Sequence, residues 1–238
     1  MLYLIGLGLN DEKDLTLKAV EIAKKCDCYC ELYTSMWQGS LESLKSVLGK
    51  DVKLLKRKDL EEGQEIFLES VKKRDVTLFV PGDPLIATTH IDLVYEAKRK
   101  RISVKIIHNA SIFSAIGETG LQIYKFGKTA TIPLNGRLEN VKTTLRNNKK
   151  LGLHTLLLLD VDRETNINMT ASEDVKLLLK AKLLKDYDKV VVFSRAGGES
   201  KVFYDIAKEF LTKKIDLPAV LIIPGKLHFR ERDFLELF

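Results

Sequence analysis

The sequence predicts an α/β protein of two domains, and three observations carry this prediction. Short apolar runs alternate with helical patterns over the first 108 residues, which favours a mostly parallel sheet covered by helices. The run VTLFV, Val76–Val80, is typical of a strand buried on both faces. After His108 the alternation becomes less regular, which indicates a mixed sheet. We therefore expect an N-terminal α/β domain at 1–108 and a C-terminal α/β domain at 109–238.

The elements of the first domain follow from the spacing of apolar residues. Leu15, Ala19, Ile22 and Ala23 recur at helical spacing. Strands are predicted at Leu2–Ile5, at Tyr29–Tyr33 with a start near Asp27, and at Asp51–Leu55, Val76–Val80 and Val104–Ile107. Helices are predicted at Leu15–Lys25, Leu41–Leu48, Glu61–Lys72 and His90–Lys100.

The second domain is expected to begin with a short helix around Ser111–Gly117. Strand patterns then fall at Leu121–Phe126, Thr129–Leu134, Leu153–Leu159, Val190–Ser194 and Ala219–Ile223. Helical patterns fall at Leu138–Arg146, Ser172–Leu184 and around Tyr204–Leu211. Ser172 is the expected N-cap of its helix, because Glu173 and Asp174 follow it as acidic residues of the first turn.

Composition narrows the class of protein. Hydrophobic residues make up 45% of the chain and charged residues 30%, as in folded soluble proteins. No apolar run approaches the ~20 residues that cross a bilayer, and MLYLIG lacks the basic start of a signal peptide. We therefore expect a cytoplasmic protein without a membrane partner.

The net charge is +6, and basic residues form two clusters. The first holds Lys98, Arg99, Lys100, Arg101 and Lys105, and the second holds Lys142, Arg146, Lys149 and Lys150. A basic surface can attract an acidic partner or simply keep a protein soluble. Because no RNA-binding signature with interleaved aromatic residues is present, no direct contact with nucleic acid is expected.

The three cysteines fall in one segment, CDCYC, at Cys26, Cys28 and Cys30. Three thiolates could bind a soft metal ion, but there is no CxxC pair and no histidine nearby. A spacing of two instead places all three on one face of a strand. The favoured interpretation is three buried thiols.

Five loops at predicted strand ends contain small or turn-forming residues: GLGLND at Gly6–Asp11, VPGDP at Val80–Pro84, HNASI at His108–Ile112, SRAGG at Ser194–Gly198 and PGKLH at Pro224–His228. In open α/β sheets ligands bind at such strand ends, and several of these loops can converge on one cleft. Asp83 could contact a ribose hydroxyl or a cation, or it could stabilise its own turn.

Metal and covalent mechanisms are not indicated. His90, His108, His154 and His228 have no partner at metal-ligand spacing. No GxSxG elbow is present for serine chemistry. We therefore expect no metal cofactor.

The motifs together resemble one family. MLYLIGLGLND, VPGDPLIATTH, IHNASIFSAIGETGLQIYKFGKTATI, GLHTLLLLD and PGKLH are similar, in this order, to the tetrapyrrole-methylase-like class of S-adenosylmethionine-dependent methyltransferases, in its diphthamide-biosynthesis branch. GLGL alone is nonspecific, whereas IHNASI, YKFGKT and GLHTLL together are specific. The resemblance covers nearly the whole chain.

The resemblance implies two α/β domains with S-adenosylmethionine in the cleft between them, and a homodimer. It implies N-methylation of a modified histidine on the translation elongation factor, the expected protein partner. The positions that match the family's donor site are Leu9, Asp83, Ile86, Ser111, Ile112, Leu159, Ala196 and Ala219. Family members often have histidine at the position of Ala219, so only a backbone contact would be retained there. No catalytic residue is indicated.

The chain departs from the family at one further place, and two alternative functions are considered. The stretch between Thr131 and Leu151 is shorter than is usual in the family and lacks an aromatic-rich segment, which implies a smaller partner-facing loop. This short form is closer to archaeal members, which implies a trimethylated product. A methylase of the same fold acting on a tetrapyrrole or ribosomal RNA is the first alternative. A donor-binding module without catalysis is the second.

Overall fold

The protein is described from a computed structural model, which covers residues 1–162, 165 and 167–238. The described residues form two compact units, Met1–Phe113 and Ser114–Phe238. The boundary expected from the sequence, after residue 108, lies five residues before this division.

The first unit contains a five-stranded sheet whose neighbours all pair in parallel. Its strands are β1 Leu2–Gly6, β2 Asp27–Glu31, β3 Val52–Leu55, β4 Val76–Val80 and β5 Val104–Ile107. Their order across the sheet is β3-β2-β4-β1-β5. The five predicted strands are confirmed within two residues at each end.

Helices cover both faces of this sheet. They are α1 Leu17–Ala23, α2 Leu41–Leu48, α3 Arg57–Glu61, α4 Gln64–Lys73 and α5 His90–Arg99. α1 and α2 bury their apolar residues against one face, with Ile5 and Phe79. α4 and α5 pack against the other face, with Leu4 and Leu78. The helix predicted at Glu61–Lys72 is confirmed from Gln64 onwards as α4, but Glu61 belongs to α3, because Gly63 separates the two helices.

The cysteines lie where the period-two pattern places them. Cys28 and Cys30 belong to β2, and Cys26 directly precedes it. All three are buried and free, and Cys28 and Cys30 belong to the core that α1 and α2 cover. Burial raises the pKa of each thiol, which keeps these groups protonated and unreactive.

The second unit contains a mixed five-stranded sheet. Its strands are β6 Ala130–Ile132, β7 Thr155–Leu159, β10 Lys189–Ser194, β11 Lys201–Ile206 and β12 Ala219–Ile223, and a separate hairpin is formed by β8 Val161–Asp162 and β9 Ile167–Asn168. The order is β11-β10-β12-β7-β6. β6 and β7 pair in parallel and the other neighbours pair antiparallel, which confirms the predicted mixed sheet.

The remaining helices are α6 Ile112–Ala115, which crosses the division between the units, and α7 Glu139–Lys150, α8 Ala171–Lys180 and α9 Phe229–Leu235. α8 begins one residue before the predicted start at Ser172 and ends four residues before the predicted end at Leu184. Its N-cap is Thr170 rather than Ser172, because Thr170 and Glu173 form a reciprocal capping box.

Two strand or helix assignments in the second unit are wrong. Leu121–Phe126 is not a strand and instead contains a 3₁₀ turn at Ile123–Lys125. The helix expected around Tyr204–Leu211 is the end of edge strand β11 followed by a 3₁₀ turn at Ala207–Leu211. The apolar spacing of this segment suits a helix, but antiparallel pairing with β10 overrides it.

No helix in the part of the chain that the structure describes is both long enough and apolar enough to span a membrane.

Candidate functional site

Three loops of the first unit meet at one edge of its sheet. They follow β1, β4 and β5, which are adjacent and parallel, so their carboxyl ends lie side by side. After β1 the chain continues through α1 on one face, and after β4 it continues through α5 on the opposite face. Connections that diverge in this way open a crevice at the strand ends, which is the usual ligand site of an open α/β sheet.

Glycines allow the first two loops to approach each other. Gly8 and Gly82 exchange backbone hydrogen bonds of 3.2 and 2.8 Å, and both have positive φ, at 81° and 67°. A Cβ atom on Gly6 would lie 2.4 Å from the carbonyl oxygen of Gly82. Only glycine at Gly6 permits this spacing, so GLGL and PGDP form one backbone surface.

Asp83 connects the second loop to the third. Its side chain is buried, and its Oδ1 atom accepts the backbone N–H of Leu85 at 3.0 Å. Its Oδ2 atom lies 2.8 Å from Nδ1 of His108 and accepts the N–H of Asn109 at 3.2 Å. Both carboxylate oxygens are thus used within the protein. Asp83 stabilises its own turn through the bond to Leu85, which is one of the two roles considered from the sequence. It also binds the loop after β5 through His108 and Asn109.

Asn109 connects the third loop to the first. Its Nδ2 atom donates to the carbonyl oxygens of Gly6 and Asp14, at 3.0 and 2.9 Å. The Asp14 carboxylate in turn accepts the backbone N–H groups of Leu9 and Asn10, at 3.0 and 2.7 Å. Asp14 and Asn109 were not among the predicted site residues. The motifs GLGLND and HNASI mark their loops, but nothing in the sequence shows this contact.

Five predicted site residues lie on these three loops. Leu9 follows β1, Asp83 and Ile86 follow β4, and Ser111 and Ile112 follow β5. Ile86 is partly exposed and donates its N–H to the carbonyl of Asp83 at 3.2 Å, whereas Ser111 is buried. The structure therefore brings these five residues to one sheet edge.

The other three predicted residues lie together in the second unit. Ala219, the first residue of β12, pairs with Ser194, the last residue of β10, and Ala196 follows two residues later. On its other side β12 pairs with β7, where Val220 lies opposite Leu158. Because the two strands are antiparallel, Leu159 lies at the same end of the sheet as Ala219.

The loop PGKLH lies at the opposite end of this second sheet. Ile223 at the end of β12 pairs with Thr155 at the start of β7, away from Leu159. SRAGG and PGKLH therefore do not converge, because β10 and β12 run antiparallel and their carboxyl ends point in opposite directions.

Residues of PGKLH, GLHTL and YKFGK form a buried polar cluster instead. His154 accepts the N–H of Gly225 through Nδ1 at 2.9 Å, and its Nε2 lies 3.0 Å from Oε1 of Glu231. Glu231 also forms an ion pair with Lys125. Burial raises the pKa of Glu231, but the hydrogen bonds that its carboxylate accepts, led by the one from Lys125, outweigh this effect. The pKa is therefore lowered to about 2. This cluster fixes the C-terminal helix α9.

Two more buried ionisable groups lie near the edge of the first sheet. Glu31 and His90 are both fully buried, with Oε1 and Nε2 3.7 Å apart. Burial raises the pKa of Glu31 to about 7 and lowers that of His90 to about 4. Glu31 accepts hydrogen bonds from Tyr33 and Thr34, so it fixes the loop after β2.

Among the described residues no cluster of three or more potential ligands could hold a metal ion.

Comparison with known proteins assigns this arrangement to a family. The family model for tetrapyrrole (corrin/porphyrin) methylases matches residues 1–207. The chain belongs to this methylase family.

Within the family, the similarity over the full length is to diphthine synthases. The chain is 43% identical to the diphthine synthase of Methanocaldococcus jannaschii, over 99% of this chain and 98% of that protein. It is 42% identical to that of Methanococcus aeolicus, over 99% and 97%. A crystal structure of diphthine synthase superimposes with a TM-score of 0.93 at 37% identity, covering 100% of this chain and 96% of the other.

Proposed function

We infer that the protein is an S-adenosylmethionine-dependent methyltransferase of diphthamide biosynthesis that methylates the amino group of the modified histidine of the translation elongation factor. The similarity to diphthine synthases along the whole length of both chains is the observation that carries this inference. The three loops joined at the carboxyl edge of the first sheet support it, because they provide the kind of surface that nucleoside ligands occupy in such sheets.

Methyl transfer from S-adenosylmethionine to an amine requires mainly that the protein position the two reactants. The amine nitrogen attacks the methyl carbon of the sulfonium, the carbon–sulfur bond breaks, and sulfur keeps the electron pair. Because the donor is already activated, the protein contributes mainly by holding nucleophile and methyl group in line. The ammonium form of the acceptor must lose a proton before it can attack.

We assign donor binding at the first sheet to Leu9, Asp83, Ile86, Ser111 and Ile112. Asp83 acts by holding the loops, since both of its oxygens are already hydrogen-bonded within the protein. Leu159, Ala196 and Ala219 are the residues proposed for donor contacts in the second unit. Each set can be tested separately by substitution and calorimetry with S-adenosylmethionine.

The decisive experiment is transfer of a labelled methyl group. The protein is incubated with methyl-labelled S-adenosylmethionine and either the elongation factor carrying the unmethylated histidine precursor, a tetrapyrrole or ribosomal RNA. We expect label on the elongation factor alone, and mass spectrometry should show three added methyl groups. Label on a tetrapyrrole or RNA would support the other methylase functions, and donor binding without any transfer would support a non-catalytic module.

We also propose a homodimer, on the basis of the family resemblance. A stable dimer of this kind buries more than ~2,000 Å² of surface. Light scattering should give twice the chain mass of 27.0 kDa at micromolar concentration. A mass of one chain would exclude the dimer without affecting the proposed activity.

A further inference from the structure

His108 is the exposed member of an aspartate–histidine pair at the proposed donor site. Its Nδ1 atom lies 2.8 Å from Oδ2 of Asp83, whose side chain is only 7% exposed, whereas the His108 side chain is 69% exposed. The buried carboxylate thus holds one edge of the ring, and the other edge faces outward.

The hydrogen bonds around Asp83 determine which nitrogen of His108 carries the proton in the neutral ring. Asp83 already accepts the N–H groups of Leu85 and Asn109, so its carboxylate acts as an acceptor. Nδ1 of His108 is therefore the donor, and Nε2 of the neutral ring keeps a free lone pair. This is the arrangement in which a carboxylate orients a histidine that acts as a base.

We propose that Nε2 of His108 accepts the proton that the acceptor ammonium loses before each methyl transfer. The proposal rests on the methyltransferase function inferred above. The N–H bond breaks with its electron pair left on nitrogen, and the proton moves to Nε2. The nitrogen then forms its bond to the methyl carbon as the carbon–sulfur bond breaks towards sulfur. The exposed imidazolium returns the proton to water.

The same pair can act in every round of a trimethylation. A primary, a secondary and a tertiary ammonium each carry a proton to be removed, and the quaternary product carries none. Asp83 is the charged group in hydrogen-bond contact with the ring among the described residues. Asp14 lies on the adjoining loop, with its carboxylate bound to the N–H groups of Leu9 and Asn10, and Lys105 is exposed on β5.

His108→Asn tests the proposal with little change in structure. The asparagine amide can still donate to Asp83 from the position of Nδ1, but it has no group at the position of Nε2. We expect the rate of methyl transfer at saturating donor to fall by about 10²–10⁴-fold, while the Kd for S-adenosylmethionine stays within about twofold. Added imidazole should restore part of the rate.

Two further measurements make the interpretation specific. His108→Gln, which loses the donor to Asp83, should also be slow, whereas His228→Asn, at an exposed helix N-cap, should match the wild type. Nitrogen-15 NMR of the free protein should show the Nδ1–H tautomer at His108 and its loss in Asp83→Asn.

A His108→Asn variant that methylates at nearly the wild-type rate would overturn the proposal, as would an Nε2–H tautomer of His108. Failure of the wild-type protein to label the elongation factor would instead overturn the proposed function, and the tautomer measurement would still stand.

Discussion

Asp174 is a carboxyl group that the fold buries completely in the second unit. It lies in the first turn of α8, and neither of its oxygens has a hydrogen-bond partner among the described residues. Burial, followed by the charges of Glu173 and Asp160, raises its pKa to about 8. The protein therefore favours the protonated acid, which contributes no negative charge to the core near neutral pH.

Asp174→Asn should change how stability depends on pH. In the wild type the unfolded chain releases this proton near pH 4 and the folded chain near pH 8, so the free energy of unfolding falls as pH rises between these values. Asparagine does not titrate, so the free energy of unfolding of the variant lacks this pH dependence. Relative to the wild type, it should rise by roughly a few kcal/mol between pH 5 and pH 8. Denaturant unfolding at pH 5 and pH 8 measures the difference. Asp51→Asn, at a carboxylate that is 86% exposed, is the control, and parallel pH curves for Asp174→Asn and wild type would contradict the expectation.

Asp83→Ala should affect ligand binding more than folding. It removes the acceptor for the N–H groups of Leu85 and Asn109 and for His108, so the second and third loops lose their connection. We expect the Kd for S-adenosylmethionine to rise at least about tenfold, with a loss of about 1–3 kcal/mol in the free energy of unfolding. Calorimetry and denaturant unfolding give the two values. An unchanged donor affinity would show that Asp83 does not organise the donor site.

At the scale of elements, local signals explain where sequence analysis was accurate. α2 begins and ends as predicted because both of its ends are encoded locally, by the Ser40 side-chain cap and by Gly49 in the left-handed conformation. The strand at CDCYC follows from a period of two. α9 was missed, and the segment at Leu121–Phe126 was misassigned. α9 does carry a local signal, the capping box formed by His228 and Glu231, which the apolar spacing alone did not reveal. The Leu121–Phe126 segment depends on a distant contact, because Glu231 accepts the N–H of Gln122 across 109 residues of sequence.

The candidate site shows the same limit. The loops after β1, β4 and β5 could be predicted because parallel strands end at one edge of a sheet. The contacts that fix their side chains could not, because Asp83 and His108 are 25 residues apart and Asn109 and Gly6 are 103 apart. No local pattern encodes such pairs.

Glu231→Ala should destabilise the second unit. It leaves the buried His154 without its partner at Nε2 and removes the ion pair with Lys125, and we expect a loss of about 3–5 kcal/mol. Because the pKa of Glu231 is lowered to about 2 in the folded state, its contribution is complete above the unfolded value, near pH 4.5, and is lost as pH falls towards 2. Glu236→Ala, at the exposed end of the same helix, is the control for denaturant unfolding. Equal stability of the two variants would contradict the assignment.

At the scale of the whole molecule, the two basic clusters differ in how much of their charge is free. In the first cluster two of the five basic residues are paired with glutamates, Arg99 with Glu96 and Lys100 with Glu65 and Glu69. In the second, Lys142, Arg146, Lys149 and Lys150 are exposed on α7 and form no ion pair with the described residues. α7 buries its opposite face through Val141, Thr144 and Asn148. The second cluster is therefore the stronger candidate for attracting an acidic region of the elongation factor.

Reversing the charge of Lys142, Arg146 and Lys149 to Glu should raise the KM for the elongation factor several-fold at low salt. The KM for S-adenosylmethionine should stay unchanged, and the effect should fade with added salt, because the Debye length is ~8 Å at physiological ionic strength. The matched variant reverses Lys98, Arg99 and Lys100 and should have a smaller effect. If neither group of charge reversals changes the KM for the elongation factor, electrostatic steering plays no part.

The three buried thiols of the first unit also make the protein convenient for fluorescence work. Cys26, Cys28 and Cys30 are buried, with their pKa values raised, so maleimide dyes should leave the native chain unlabelled until it is unfolded. A single cysteine introduced at Lys142, on the exposed face of α7, would then carry the only reporter. Its anisotropy would follow docking of the elongation factor directly, without removal of any natural cysteine from the core.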